Sequence, residues 1–243
     1  MNLIALQIKT SPNFEENLIH LKELINSCEE DSLILAPELA LSGFSYDRMI
    51  EASNFSLKAV EDIKALSVNK IIALTFITQK NDSFFNTLHI FHNQKIVHTQ
   101  SKRQLFPLGN ELEHFNAGNE NDIKIIEING IKIATLICFE LRFPRLWEKV
   151  KGADIILNPS MWGLKRKDHY ESISKALALV NQCFVIACNS ADDNMAKGSA
   201  IISPFGNVIK DDSSEIIKTK FDLDEIKKTR KYIDIGLNEE FIY

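Results

Sequence analysis

The stretch Ile123–Phe143 reads IKIIEINGIKIATLICFELRF. Two apolar runs flank Asn129-Gly130, and the second delivers a thiol, Cys138, directly followed by Phe139, Glu140 and Arg142. Asn-Gly suits a type I′ turn because both central residues need positive φ. Ile123–Ile128 and Ile131–Cys138 are therefore predicted to form an antiparallel hairpin. A second hairpin is predicted around Asn93-Gln94, from Phe85–His92 and Lys95–Thr99. Antiparallel pairs of this kind exclude a purely doubly wound parallel sheet.

Around these hairpins, apolar strands alternate with amphipathic helices. Strands are predicted at Asn2–Lys9, Leu33–Ala36, Lys70–Thr78, Asp154–Leu157, Phe184–Asn189, Ser199–Ser203, Val208–Lys210 and Glu215–Asp222. Helices are predicted at Phe14–Cys28, Ala59–Leu66, Phe143–Val150 and Tyr170–Gln182. Ser11-Pro12-Asn13 supplies the break and a cap before the first of them. The Lys-rich Lys227–Lys231, KKTRK, follows acidic Asp222–Glu225 and reads as a solvated helix face in a charged tail. The mixture implies an α/β protein with mixed β sheets inside and helices outside. No linker or repeat interrupts it, so a single domain over residues 1–243 is expected.

Hydrophobic residues make up 45% and charged residues 25% of the 243, and the net charge is −5. With no dense basic block, neither nucleic acid nor an anionic membrane is expected as a partner. No run approaches the roughly 20 apolar residues of a bilayer span. The start, MNLIALQIKTS, reads as a first strand and not as a signal peptide. Cys28, Cys138, Cys183 and Cys188 show no CxxC spacing, which fits a reduced, cytoplasmic protein.

Cys138 stands where an apolar strand ends. Glu38 in LILAPELALSGF and Lys102 in IVHTQSKRQLFPLG emerge from similar settings. A free thiol, with a pKa of about 8.5, needs a base or a positive neighbour to react at neutral pH. Glu38 could take its proton. Lys102 could stabilise a thiolate and then an oxyanion. The Phe139 N–H would complete an oxyanion hole if Cys138 sits on a tight strand-to-helix turn. Taken singly, each residue has an ordinary reading: a capping glutamate, a solvated lysine, an inert core thiol.

Read whole, the motifs resemble those of the nitrilase superfamily of carbon–nitrogen hydrolases. The resemblance rests on Ala36-Pro37-Glu38 with Ser42-Gly43-Phe44, KRQLFPLGNELEHF at Lys102–Phe115 and LICFELRFP at Leu136–Pro144. Asn158-Pro159-Ser160 with Trp162 and GSAIISPFGNV at Gly198–Val208 complete it. It implies a four-layer α-β-β-α sandwich and a Glu-Lys-Cys triad. Glu38 matches the general base, Lys102 the oxyanion-stabilising lysine and Cys138 the nucleophile. Glu111 matches a second glutamate that would hold Lys102 and orient the substrate. The implied activity is an amidase acting through a cysteine thioester on a small-molecule amide. It needs neither metal nor cofactor and works as a homodimer or higher homo-oligomer.

The Cys-x-x-x-Arg-Phe pattern at Arg142 is similar to that of ω-amidases, where this Arg is associated with a substrate carboxylate. The leading substrate is then an ω-monoamide of a short dicarboxylic (2-oxo) acid. Otherwise Arg142 pairs with Glu140, Glu148 or another carboxylate. Phe44 and Trp162 are candidate pocket walls. An N-carbamoyl hydrolase is the alternative within the superfamily. Outside it, Cys138 could pair with His169 or His114, or the chain could be an inactive homologue acting as a binding module. His89 and His92 fall on opposite faces of a strand, which argues against a shared metal. One departure stands out. Many relatives carry Arg-Ala-x-Glu-Asn before the Phe184 strand. Here Lys175–Asn181 reads KALALVN, keeping Asn181 but with Leu177 for Arg and Val180 for the acid. That change bears on assembly and substrate range.

Overall fold

Two six-stranded sheets, packed face to face, form the centre of the molecule in a computed structural model that describes residues 1–237. The last six positions of the charged tail, 238–243, lie outside the described residues. The first sheet contains β1 (Asn2–Leu6), β2 (Ser32–Leu35), β3 (Lys70–Lys80), β4 (Ser83–His92), β5 (Lys95–Ser101) and β12 (Ile216–Lys220), in the order β12-β1-β2-β3-β4-β5. The second contains β6 (Ile126–Ile128), β7 (Ile131–Thr135), β8 (Ile155–Ser160), β9 (Phe184–Asn189), β10 (Ala200–Ile202) and β11 (Val208–Lys210), in the order β11-β10-β9-β8-β7-β6. In both, a parallel centre (β1-β2-β3 and β7-β8-β9) is flanked by antiparallel strands.

Side-chain alternation along the strands builds the layers. In the first sheet Leu3, Ala5, Leu33, Leu35, Ile71, Ala73, Leu88 and Ile90 face the second sheet. The intervening Ile4, Leu6, Ile34, Ile72, Leu74 and Phe91 face outward. There they meet Leu18, Leu21 and Ile25 of α1 (Phe14–Ser27) and Ala59 and Ile63 of α2 (Met49–Leu66). On the far side, Leu146 of α4 (Pro144–Lys149) and Tyr170, Leu177 and Ala178 of α5 (Lys167–Asn181) join the core of the second sheet. The order helix, sheet, sheet, helix is the sandwich that the motifs imply. The short α3 (Glu111–His114) and the C-terminal α6 (Leu223–Tyr232) complete the set, α6 capped by Asp222.

Both predicted hairpins form. Asn129 and Gly130 have φ of 53° and 77°, and Asn93 and Gln94 have 47° and 61°, the paired positive values of a type I′ turn. Several expectations need correction: β1 ends at Leu6 and not at Lys9, and β6 begins at Ile126 and not at Ile123. The β7 strand stops at Thr135, with a last bond from the Leu136 N–H to the Leu157 carbonyl, so Ile137 leads to Cys138 outside the ladder. The helix predicted from Ala59 begins ten residues earlier, at Met49. Its polar first half hid it. Ser53 and Ser56 are buried there because their hydroxyls donate to the Ile50 and Ala52 carbonyls of their own helix.

Candidate active site

Glu38, Lys102 and Cys138 come from one end of the sandwich. Glu38 follows β2 and Cys138 follows β7, both at the carboxyl ends of parallel strands, where open α/β sheets place ligands. Lys102 follows β5, which reverses direction twice from β3 and so exits at the same end. Three backbone kinks aim the side chains. Leu39, next to Glu38, has φ of 49°, Asn110, just before Glu111, has 57°, and Cys138 itself has 47°. A non-glycine residue there carries local strain of about 1–3 kcal/mol that the surroundings must hold.

Hydrogen bonds hold the backbone around Glu38, Lys102 and Cys138. The Leu39 N–H donates to Thr75 Oγ1 at 2.6 Å, and the Glu38 N–H reaches across to the Ser160 carbonyl at 3.2 Å. The Lys102 N–H donates to the Asn86 carbonyl at 2.8 Å, and its carbonyl accepts from Gly118 N–H at 2.9 Å. Gly118 cannot carry a side chain, because a Cβ would lie 2.1 Å from the Ser101 carbonyl oxygen. The Cys138 turn is closed by Glu140. Its N–H donates to the Ile137 carbonyl at 3.0 Å, and its Oε2 accepts from the Ile137 N–H at 2.7 Å. Glu140 Oε1 accepts from the Arg103 N–H at 2.6 Å, so one carboxylate ties the thiol turn to the segment after Lys102.

Burial decides the electrostatics. Glu38 and Lys102 are 0% exposed, Glu111 2% and Cys138 7%. Lys102 Nζ donates to Glu38 Oε1 and to Glu111 Oε1, each at 2.7 Å. Burial alone would lower its pKa. The charges of Glu38, Cys138 and Glu111 outweigh burial, and the ammonium is held well above its ordinary range. Burial pushes Glu111 up to about 7 against the pull of Lys102. Burial and the Glu38 charge likewise push the Cys138 thiol well up, with Lys102 opposing them. Glu38 Oε1 is occupied by Lys102 and by Asn86 Nδ2 at 2.8 Å. Its Oε2 is buried with no hydrogen-bond partner among the described residues, and the Glu38 charge acts on the thiol.

The rest of the predicted set lies around this cluster. Cys138 opens onto a cavity of about 250 Å³ that also touches Glu38, Phe44, Tyr46, Phe106 and Glu111. Phe44 stands 5.9 Å from Lys102 Nζ, and Tyr46 donates to the Gly109 carbonyl and stacks on His114 at 4.0 Å, steadying the loop that carries Glu111. A narrow extension of about 20 Å³ continues past Cys138 and Phe139 to Arg142, Trp162 and Arg166. Arg142 does not pair with Glu140, whose oxygens serve backbone amides. Its guanidinium lies 4.6 Å from the Trp162 ring centroid and donates to His169 Nδ1 at 3.0 Å. His169 and His114 are thus engaged elsewhere, and neither is among the groups acting on the Cys138 thiol. His89 and His92 bond Thr99 Oγ1 and the Lys70 carbonyl, and no metal-binding cluster of His, Cys, Asp or Glu occurs among the described residues.

A family model for carbon–nitrogen hydrolases matches residues 3–231. The chain belongs to the carbon–nitrogen hydrolase family. It is a hydrolase of carbon–nitrogen bonds other than peptide bonds. It is 32% identical to the 2-oxoglutaramate amidase of Bacillus subtilis (strain 168), over 84% of this chain and 83% of that protein. It is 30% identical to the omega-amidase YafV of Escherichia coli (strain K12), over 79% of this chain and 77% of that protein. The fold is similar to that of the XC1258 protein of Xanthomonas campestris, with a TM-score of 0.86 at 21% identity over 100% and 98% of the two chains. Saccharomyces cerevisiae Nit3, of the nitrilase superfamily, superposes with a TM-score of 0.84 at 22% identity over 99% and 97%. Within this hydrolase, Asn86, Thr75, Glu140 and Arg166 were not singled out as site residues from sequence. Asn86 and Thr75 sit inside strand runs, where alternation marks an inward side chain but no role.

The Glu140 contact is testable. Burial raises this carboxyl to about 7, against the opposing pull of the Ile137 and Arg103 amides. In Glu140→Gln the new Nε2 would face a backbone N–H, leaving two donors opposed. A buried polar group left unmet costs about 1–3 kcal/mol. The Tm, followed by circular dichroism, is expected to fall by roughly 2–12 °C. An unchanged Tm would show that the contact holds nothing in place.

Proposed function

We propose that the chain is an amidase that releases ammonia from the ω-monoamide of a short dicarboxylic acid, with 2-oxo acids as the leading class. The observation that carries this reading is the cavity itself. Cys138 borders it on one side, and Arg142, whose guanidinium no carboxylate engages among the described residues, lines its extension. Arg suits a carboxylate because its planar fork binds both oxygens. The relatives named 2-oxoglutaramate amidase and omega-amidase support the same class.

In the proposed reaction Glu38 takes the Cys138 proton as the sulfur adds to the amide carbonyl carbon. Lys102 and the Phe139 N–H stabilise the oxygen that becomes negative, and Glu111 holds Lys102 in place. Glu38 returns the proton to the nitrogen, the C–N bond breaks, and ammonia leaves a thioester on Cys138. Water then adds to the thioester as Glu38 takes its proton. The carboxylic acid departs and the proton returns to sulfur. Phe44 and Trp162 serve as walls. The full chain acts as one domain, in the cytoplasm, as a homodimer. The exposed apolar side chains of Leu179, Val180, Phe205 and Tyr232 support self-association.

The test is ammonia release from a panel of ω-amides, neutral amides and N-carbamoyl amines. The ω-amides are expected to lead in kcat/KM by about 10- to 100-fold, the worth of a charge-assisted hydrogen bond. Activity confined to N-carbamoyl compounds would overturn the substrate class.

A further inference from the structure

Arg166 lines the same extension as Arg142. It ends the turn Leu164–Arg166 that leads into α5, and its N–H donates to the Gly163 carbonyl at 2.9 Å. Gly163 bridges to Met195, and the Leu164 N–H donates to the Asn194 carbonyl at 2.9 Å, so the turn is anchored on both sides. Gly163 also leaves room for the arginine, since a Cβ there would sit 3.3 Å from Arg166 Nη2. Arg166 lines both the main cavity and the extension, and Cys138 borders both as well.

Neither guanidinium makes an ion pair with a carboxylate among the described residues. Aromatic faces hold them instead: Arg142 lies over Trp162 at 4.6 Å and Arg166 over Phe106 at 5.1 Å. A ring face attracts a cation without neutralising it. Glu140, the acid nearest Arg142 in sequence, spends its oxygens on the Arg103, Gln104 and Ile137 amides. Burial and then the charge of Arg166 lower the Arg142 guanidinium, which places the two like charges within electrostatic reach of each other. An arginine stays charged under such pressure. Two cations around one narrow space whose own lining holds no carboxylate are stabilised when an anion enters it.

We infer that Arg166 is a specificity-determining residue which, with Arg142, forms a two-arginine clamp on the substrate carboxylate remote from the amide attacked by Cys138. This rests on the ω-amide reading above. The extension, about 20 Å³, is small beside the main cavity of about 250 Å³, which favours a small planar group such as a carboxylate. The clamp therefore selects chain length as well as charge. A substrate too long to seat its carboxylate there would hold its amide away from the sulfur.

The experiment compares glutaramate, the anionic monoamide of glutaric acid, with neutral pentanamide, which has the same number of carbons. Wild type is expected to prefer glutaramate. Arg166→Gln is expected to raise KM for glutaramate about 10- to 100-fold, as loss of a charge-assisted hydrogen bond does. The fall in kcat should be much smaller, and the loss on pentanamide smaller still. Arg166→Lys should recover part of the glutaramate KM, because it restores charge without the planar fork. Equal losses on both amides, or an unchanged glutaramate KM in an enzyme that prefers glutaramate, would overturn the clamp. A wild-type enzyme with no preference for the anionic amide would instead sink the ω-amide reading on which the clamp stands.

Discussion

Cys138→Ala is expected to lower ammonia release by about 10⁴-fold or more, the scale on which removal of a nucleophile acts. The protein should stay folded. The thiol makes no contact that the core requires: Glu38 keeps Lys102 and Asn86, and the turn is closed by Ile137 and Glu140. Alanine meets the same backbone strain at φ of 47° as cysteine does. Circular dichroism should therefore superimpose on wild type while turnover vanishes. Mass spectrometry of wild type trapped with an ω-amide should show an acyl adduct on Cys138, and the variant should show none. Undiminished hydrolysis by Cys138→Ala would remove the thioester from the scheme.

Glu38→Gln is the sharper variant, because the hydrogen-bond frame survives it. Both donors to Glu38, Asn86 Nδ2 and Lys102 Nζ, use Oε1, which glutamine retains. The amide NH₂ replaces Oε2, the oxygen with no other partner. Geometry is kept and the base is lost. The expected fall in kcat is about 10²- to 10⁴-fold, the usual contribution of general base catalysis. Rapid-quench measurement should find no burst of ammonia. A normal burst would show that another group takes the thiol proton.

Much of this site was legible before any coordinates. Cys138, Glu38 and Lys102 each end an apolar run, and a charged or nucleophilic residue at such a point marks the rim of a sheet. Asn-Gly at 129–130 placed a hairpin because few residues tolerate paired positive φ. What stayed hidden depends on partners distant in sequence. Asn86 looks like any polar residue in a strand until Glu38 is found beside it. In sequence Glu140 is a candidate partner for Arg142, and only the fold shows its oxygens turned to the Ile137 and Arg103 amides. Arg166 lay in a polar stretch, KRKDH, with no apolar run to point at it. The first half of α2 was masked by serines that satisfy themselves within the helix.

The high proton affinity of the Cys138 thiol has a consequence for the protein between turnovers. A sulfur that keeps its proton is a sluggish target for peroxide and for stray alkylating compounds, which attack or capture the thiolate. Burial first, and the charges of Glu38 and Glu111 after it, favour the protonated sulfur. In the proposed reaction that proton has to leave for Glu38 as the carbonyl is seated in front of the sulfur.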